Sequence, residues 1–332
     1  MPQAPNILYI VLPEGERTAG LRRAVELARR TKGRLHLCSF VHDGLIEVAT
    51  VRSNADIAYR ARRDFVSEHM DKLRTLAVEL ADGRFEVECE AIWAPVPHEA
   101  ILTKAIEIRA DYVVKNVHHE PAIRRMFFSP LDFRLARLLP CALMLVGPNA
   151  PACPERILAA VDVLADDGVS DESLNSRVMQ VATAVAEYTD ARLDLVSVAP
   201  YLPMNPRSAI YTTAAYDETI IRHVKAFHAF VDRHQIPNDR CHRLVGLPAQ
   251  CIADLVERHK VDMVVVGNIY RNAWERMLLG STAEALAQDL PCDLLVVKQR
   301  QFFDTLAQHL DLARIGAEVR REQPDLMRGE FA

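Results

Sequence analysis

Two short segments in the second half of the chain carry residue types suited to holding a phosphate. Gly267-Asn268 closes an apolar run, and thirteen residues after Gly267 comes Gly280-Ser281-Thr282, at the start of a helical pattern. Glycine lets a backbone approach a ligand closely. A serine or threonine at a helix N-terminus adds a hydroxyl to unpaired N–H groups and to the positive end of the helix dipole. Together these features make an anion cradle. Arg271, between the two segments, can reach a phosphate from the same loop. Another apolar run, residues 157–161, ends at Asp162. Its carboxylate can accept hydrogen bonds from ribose hydroxyls or help to hold a metal ion. It can also simply cap nearby N–H groups.

Other chemistry finds less support. No Gly-x-Ser-x-Gly elbow, P-loop or His-Glu-x-x-His motif is present, and no Ser-Gly-Gly loop follows the first apolar run. His118-His119-Glu120 has metal-ligating types, but adjacent histidines in a loop seldom converge on one ion, so a solvated loop explains them better. Arg124, Arg125 and Arg134 suit an anion or a solvated helix face equally. The seven cysteines form no CxxC pair, and most lie in apolar stretches. Buried free thiols in a reducing compartment are expected, rather than disulfides or a zinc site.

The elements that must position these residues follow from periodicity. In the second half, strands are expected at 157–161, 193–198, 241–245, 263–266 and 294–297. Helices are expected near 172–188, 217–234, 249–259 and 282–288. The first half runs the same way, with a longer helix near 55–80. Strands apolar on both faces and separated by helices indicate an α/β fold with a doubly wound parallel sheet. Ligands then bind beyond the carboxyl ends of the strands, where strand order reverses. With a flavodoxin-like order, the ends of the first and fourth strands flank that crevice. In the second half those ends carry Asp162 and Gly267-Asn268.

The two halves are copies of one another. Residues 97–146 lie over 248–297 without a gap, matching Asp111 with Asp262, Val113-Val114 with Val264-Val265, Arg125-Met126 with Arg276-Met277, and Leu139-Pro140-Cys141 with Leu290-Pro291-Cys292. The expected domains are 1–147, 148–300 and a C-terminal helical tail, 301–332. Phe302, Phe303, Leu306, Leu310 and Ile315 would line one face of that helix, and about ten final residues look polar and frayed.

Composition narrows the function. The chain has 332 residues, 50% hydrophobic and 26% charged, with 40 basic and 45 acidic side chains and a net charge of −5. That is a globular balance. No broad basic field exists, so a nucleic-acid partner is not expected. No apolar run reaches the roughly 18–20 residues of a membrane span. The N-terminus lacks the basic region of a signal peptide, and a cytoplasmic location is expected.

The second half resembles the universal stress protein family. Its nucleotide-binding members carry Gly-x-x-Gly, nine residues, then Gly-Ser or Gly-Thr. Here the pattern reads Gly267-Asn268-Ile269-Tyr270, residues 271–279, then Gly280-Ser281. The spacing matches, and Tyr270 replaces the second glycine. The family's strand-one aspartate matches Asp162. Two copies in one chain, a degenerate first copy and Trp93 before a helix are similar to tandem members. The resemblance implies two tandem Rossmann-like five-stranded parallel sheets related by a pseudo-twofold axis. It implies that ATP or a related nucleotide, with Mg2+, binds at Asp162, Val163, Val198, Gly267, Asn268, Tyr270, Arg271, Gly280, Ser281 and Thr282. The Tyr270 ring would either fill part of the phosphate space or lie against the ligand.

In the first copy Leu12 replaces the aspartate, Asn116 and His119 the first two glycines, Ser129 the third and Pro130 the serine. Pro130 has no N–H to donate, so no ATP is expected there. The function expected is nucleotide-binding stress response without catalytic residues. Slow ATP hydrolysis is the alternative, and so is an adaptor taking a lipid-like ligand near Phe127, Phe128 and Phe133. Protein partners are open. Strands 143–146 and 294–297 are expected to pair across the pseudo-twofold axis as an internal pseudo-dimer, covering two open edges with one contact. A homodimer of the whole chain is a further option.

Overall fold

The computed structural model describes residues 4–12, 17–52, 55–117, 128–164, 173–200, 213–268, 282–283, 285–286, 290–299 and 328–331. Tyr270, Arg271, Gly280, Ser281, His118 and His119 lie outside the described residues. The chain divides into two compact units. One comprises residues 1–116, 130–152 and 303–332, the other 117–129 and 153–302.

The first unit runs β1 (Asn6–Val11), α1 (Ala19–Thr31), β2 (Arg34–Val41), α2 (Gly44–Arg52), α3 (Ala55–Leu80), β3 (Glu86–Trp93), α4 (Pro97–Glu107), β4 (Tyr112–Asn116), α5 (Pro130–Leu138) and β5 (Ala142–Val146). The second runs β6 (Arg156–Ala160), α6 (Leu174–Thr189), β7 (Arg192–Pro200), α7 (Thr213–His234), β8 (Cys241–Gly246), α8 (Pro248–His259), β9 (Met263–Gly267) and β10 (Asp293–Val297). Strand order is β3-β2-β1-β4-β5 in one and β8-β7-β6-β9-β10 in the other, all parallel. The fold is the expected α/β one, but the order is 3-2-1-4-5 rather than flavodoxin-like. The reversal still falls between the first and fourth strands, because the chain leaves the first strand in one direction and returns to its other side.

Local chemistry explains why the copies fold alike. Thr18 caps α1 by accepting from the Leu21 N–H, and Ser173 caps α6 by accepting from Ser176. Lys32 and Asp190 end those helices at φ 52° and 58°. Pro97 and Pro248 start α4 and α8, where a missing N–H costs nothing. The matched aspartates clip strand starts together: Asp111 accepts from the Asn6 N–H at 2.9 Å, and Asp262 from Glu155 and Arg156 at 2.8 and 2.9 Å. Every residue of β4, β5 and β10 is buried. Burying a valine or leucine side chain stabilises by roughly 1.5–3 kcal/mol, which is why these runs are mostly apolar, with Lys115 and Asn116 in β4 and Asp293 in β10 as the buried polar exceptions.

Three features were not expected. Residues 328–331 form β11 (Arg328–Phe331), antiparallel to β3, where a frayed end was expected. This pairing covers a strand edge that would otherwise expose unpaired backbone groups. Buried Arg23 on α1 donates to the carbonyls of Pro151 at 2.7 Å and Ala152 at 2.9 Å, tying the segment after β5 to α1 within the first unit. The cysteines are all free, but only Cys38, Cys89 and Cys292 are buried; the other four are half-buried.

Buried His36 on β2 should make the first unit acid-sensitive. Burial, with Lys104 and Arg34, pushes its pKa down to about 4, although Glu88 lies 3.1 Å from Nδ1 and acts in the opposite direction. The unfolded chain gains a proton below about pH 6.5, whereas the folded unit keeps a neutral ring. Stability therefore falls as pH drops from about 6.5 toward 4, by up to roughly 1.4 kcal/mol per pH unit. Urea unfolding at pH 7 and pH 5 should show a smaller difference for His36→Gln than for the parent. An unchanged difference would count against His36 as the source.

Candidate functional site

The crevice of the second unit is built at the carboxyl ends of β6 and β9. These strands pair in register from Ile157 with Met263 to Ala160 with Val266, so Asp162 and Gly267 emerge side by side. Asn175, near the start of α6, fixes the turn after β6. Its Oδ1 accepts from the Asp162 N–H at 3.1 Å, and its Nδ2 donates to the Asp162 carbonyl at 2.8 Å. The Asp162 carboxylate also accepts from the Leu164 N–H at 3.0 Å while staying at the exposed surface. Val163 is buried beneath it, and Val198 is half-buried toward the end of β7.

Gly267 is required for space rather than for backbone angle. A Cβ there would lie 2.6 Å from the Leu174 side chain at the start of α6. Asn268, next in the chain, is buried and donates its N–H to Val297. Gly267→Ala should therefore destabilise the second unit by about 1–3 kcal/mol, and adding Leu174→Ala should recover part of the loss. Urea midpoints of the two variants measure this, and an unperturbed single variant would contradict the packing. Thr282 is helical and half-buried. The expected site residues Tyr270, Arg271, Gly280 and Ser281 fall outside the described residues.

Sequence reasoning missed three residues here. Asn175 and Leu174 act through the turn and the glycine, and neither belongs to a recognisable motif. His223 on α7 is fully buried, with Nε2 3.0 Å from the Ser197 hydroxyl of β7. Burial, then Arg243, lowers its pKa, and the negative charge of Asp162 opposes them. A single histidine in a helical pattern gives no signal of such a pairing.

The first unit closes the same crevice with its own side chains. Asn116, at the position of Gly267, accepts from the Gly20 N–H at 2.7 Å, and its Nδ2 reaches the Tyr9 hydroxyl at 3.4 Å. Tyr9 also pairs with Thr18 at 2.6 Å, and burial pushes its pKa up to about 12. A Cβ on Gly20 would overlap the Asn116 amide. Half-buried Leu12 stands in the place of Asp162, and Pro130 begins α5. Beneath this network Lys115 pairs with Asp132 at 2.8 Å, both buried.

The sequence profile of the Universal stress protein family matches residues 5–147 and again 154–298. The chain belongs to that family. Universal stress protein E of Escherichia coli (strain K12) is 27% identical over 306 residues, covering 91% of this chain and 96% of that protein. The Universal stress protein E homolog of Haemophilus influenzae is 25% identical over 301 residues, covering 88% and 97%. A crystal structure of a putative universal stress protein from Pseudomonas aeruginosa UCBPP-PA14 superposes with a TM-score of 0.72 at 22% identity, covering 92% of this chain and 97% of that one. It shares the fold. The chain is thus a tandem universal stress protein, similar to universal stress protein E. Among its described residues no helix is long and apolar enough to cross a membrane.

Proposed function

We propose that the second unit binds ATP or a related nucleotide, and that the protein works in the cytoplasm as a regulatory binding protein rather than as an efficient enzyme. The observation that supports this most is the contrast between the two crevices. In the second unit the exposed Asp162 carboxylate and the half-buried Gly267, covered on one side by Leu174, flank the point where strand order reverses. In the first, Asn116 and Tyr9 fill the equivalent space. The same contrast disfavours an apolar ligand in the first crevice. Tyr270, Arg271, Gly280, Ser281 and Thr282 contribute to the proposal through the family's spacing. One exposed carboxylate fits a Mg2+ ion that takes most of its ligands from phosphates and water. Such an ion would neutralise phosphate charge beside Asp162.

Efficient phosphoryl transfer also needs a positioned attacking water and charge stabilisation around the γ-phosphate. In residues 272–279 the only carboxylate or glutamine is Glu275. Turnover should stay well below the roughly 1–100 s⁻¹ of kinases, as read by steady-state phosphate release. Turnover within that range, lost on Asp162→Ala, would establish an enzyme instead. Mass spectrometry of ligands released from the purified protein tests the binding itself. Adenine nucleotide should appear from the parent and from Ser129→Val, but not from Gly280→Val.

A further inference from the structure

At the opposite end of the second sheet from the crevice, three side chains from three elements converge. Asp194 of β7, His242 of β8 and His259 at the end of α8 each place one ligand atom within 4.8 Å of the other two. Asp194 is buried and the two histidines are half-buried. Arg192 Nε holds Asp194 Oδ1 at 2.9 Å, while Oδ2 faces His242 Nε2 at 3.9 Å. That separation is too long for a hydrogen bond, and His242 Nε2 is buried with no hydrogen-bond partner. The two imidazole rings lie 4.9 Å apart at 64°, so they do not stack face to face.

The first unit shows what the same place looks like when the chain supplies its own cation. Register pairs Cys38 with Glu90 across β2 and β3, and Val196 with His242 across β7 and β8. Strands β2 and β7 begin alike at Arg34 and Arg192, so Glu90 occupies the place of His242. The ungapped repeat puts Lys104 of α4 at Leu255 of α8, and Ile108 at His259. In the first unit Lys104 Nζ lies 2.5 Å from Glu90 and 3.7 Å from Glu107. In the second unit the ammonium is replaced by apolar Leu255, Asp194 stands where β2 has His36, His242 stands where β3 has Glu90, and His259 adds a second imidazole in place of Ile108. The buried ammonium is gone, Arg192 holds Asp194 Oδ1 from outside, and the second carboxylate oxygen and two imidazoles converge there instead.

We propose that Asp194, His242 and His259 form a binding site for a divalent first-row transition metal of the zinc class. Three protein ligands, two imidazoles and one carboxylate, leave a position for water or a fourth ligand. Imidazole donors favour zinc, nickel, cobalt or copper over magnesium and calcium. Arg192 fixes the orientation of the carboxylate from outside the ligand set, leaving Oδ2 for the metal. The site is separate from the nucleotide crevice and independent of the function proposed there.

The test uses the full chain, stripped of metal by chelation and titrated with Zn2+ against a chromophoric competitor. The parent should bind one equivalent that weakens by at least about tenfold in both His242→Gln and His259→Gln. It should persist in a His118→Ala/His119→Ala variant. Zn2+ should raise the melting temperature of the parent but not of either glutamine variant, whose far-UV circular dichroism reports that they remain folded. Co2+ in the same equivalent should show no thiolate charge-transfer band, which separates it from the cysteines. Equal Zn2+ affinity in the parent and both glutamine variants would overturn the site. So would loss of the equivalent only in the His118→Ala/His119→Ala variant, or a thiolate band.

Discussion

Replacing Lys115 by methionine should destabilise the first unit by about 3–5 kcal/mol. Lys115 lies on β4, with its Nζ 2.8 Å from Asp132 Oδ1 and 3.0 Å from the Asn116 carbonyl. Its side chain is 4% exposed and that of Asp132 0%, so water cannot compensate a charge left behind. Removing the lysine leaves a buried carboxylate, and the desolvation penalty that the pair offset is then felt in full. Replacing both partners removes both penalties. Lys115→Met/Asp132→Leu should therefore recover most of the loss and come within about 1–2 kcal/mol of the parent. Urea unfolding of the three proteins at pH 7 reads this directly. A single variant as stable as the parent would show that the pair is not buried as described. The second unit has Val266 and Ala283 at the matching positions, so its base is apolar where the first is ionic.

Much of the fold was legible because the signals were local. Apolar runs bounded by polar turns located the strands, and apolar periodicity located the helices, while the caps Thr18 and Ser173 and the helix-start prolines Pro97 and Pro248 set their beginnings in the structure. The ungapped match between residues 97–146 and 248–297 fixed the duplication. Strand order was less accessible, since a parallel sheet encodes no local cue for which neighbour each strand takes. Lys115 was equally hidden: one lysine in a run of valines gives no sign that its partner lies on the next helix.

The candidate site divides in the same way. Asp162 and Gly267 stood out as chemistry at strand ends, and the register of β6 and β9 brings them together. Asn175, Leu174 and His223 did not, because each matters through a contact that only the packed chain creates. The cluster of Asp194, His242 and His259 spans three elements with no common spacing, so no motif reveals it.

The largest functional effect is expected from Gly280→Val. If the backbone at Gly280 approaches the phosphates as the family's spacing implies, a valine side chain blocks that approach. ATP affinity should then fall by more than about 100-fold, or about 2.8 kcal/mol. Asp162→Ala should weaken binding by about tenfold, roughly the value of one hydrogen bond to a charged group. Ser129→Val, at the matching position of the closed first crevice, should change nothing. Isothermal titration of ATP into the parent and these three variants is the most direct measurement. One site per chain, lost in Gly280→Val and intact in Ser129→Val, is the predicted result. Binding lost equally in both variants, or two sites per chain, would contradict the assignment of the nucleotide to the second unit.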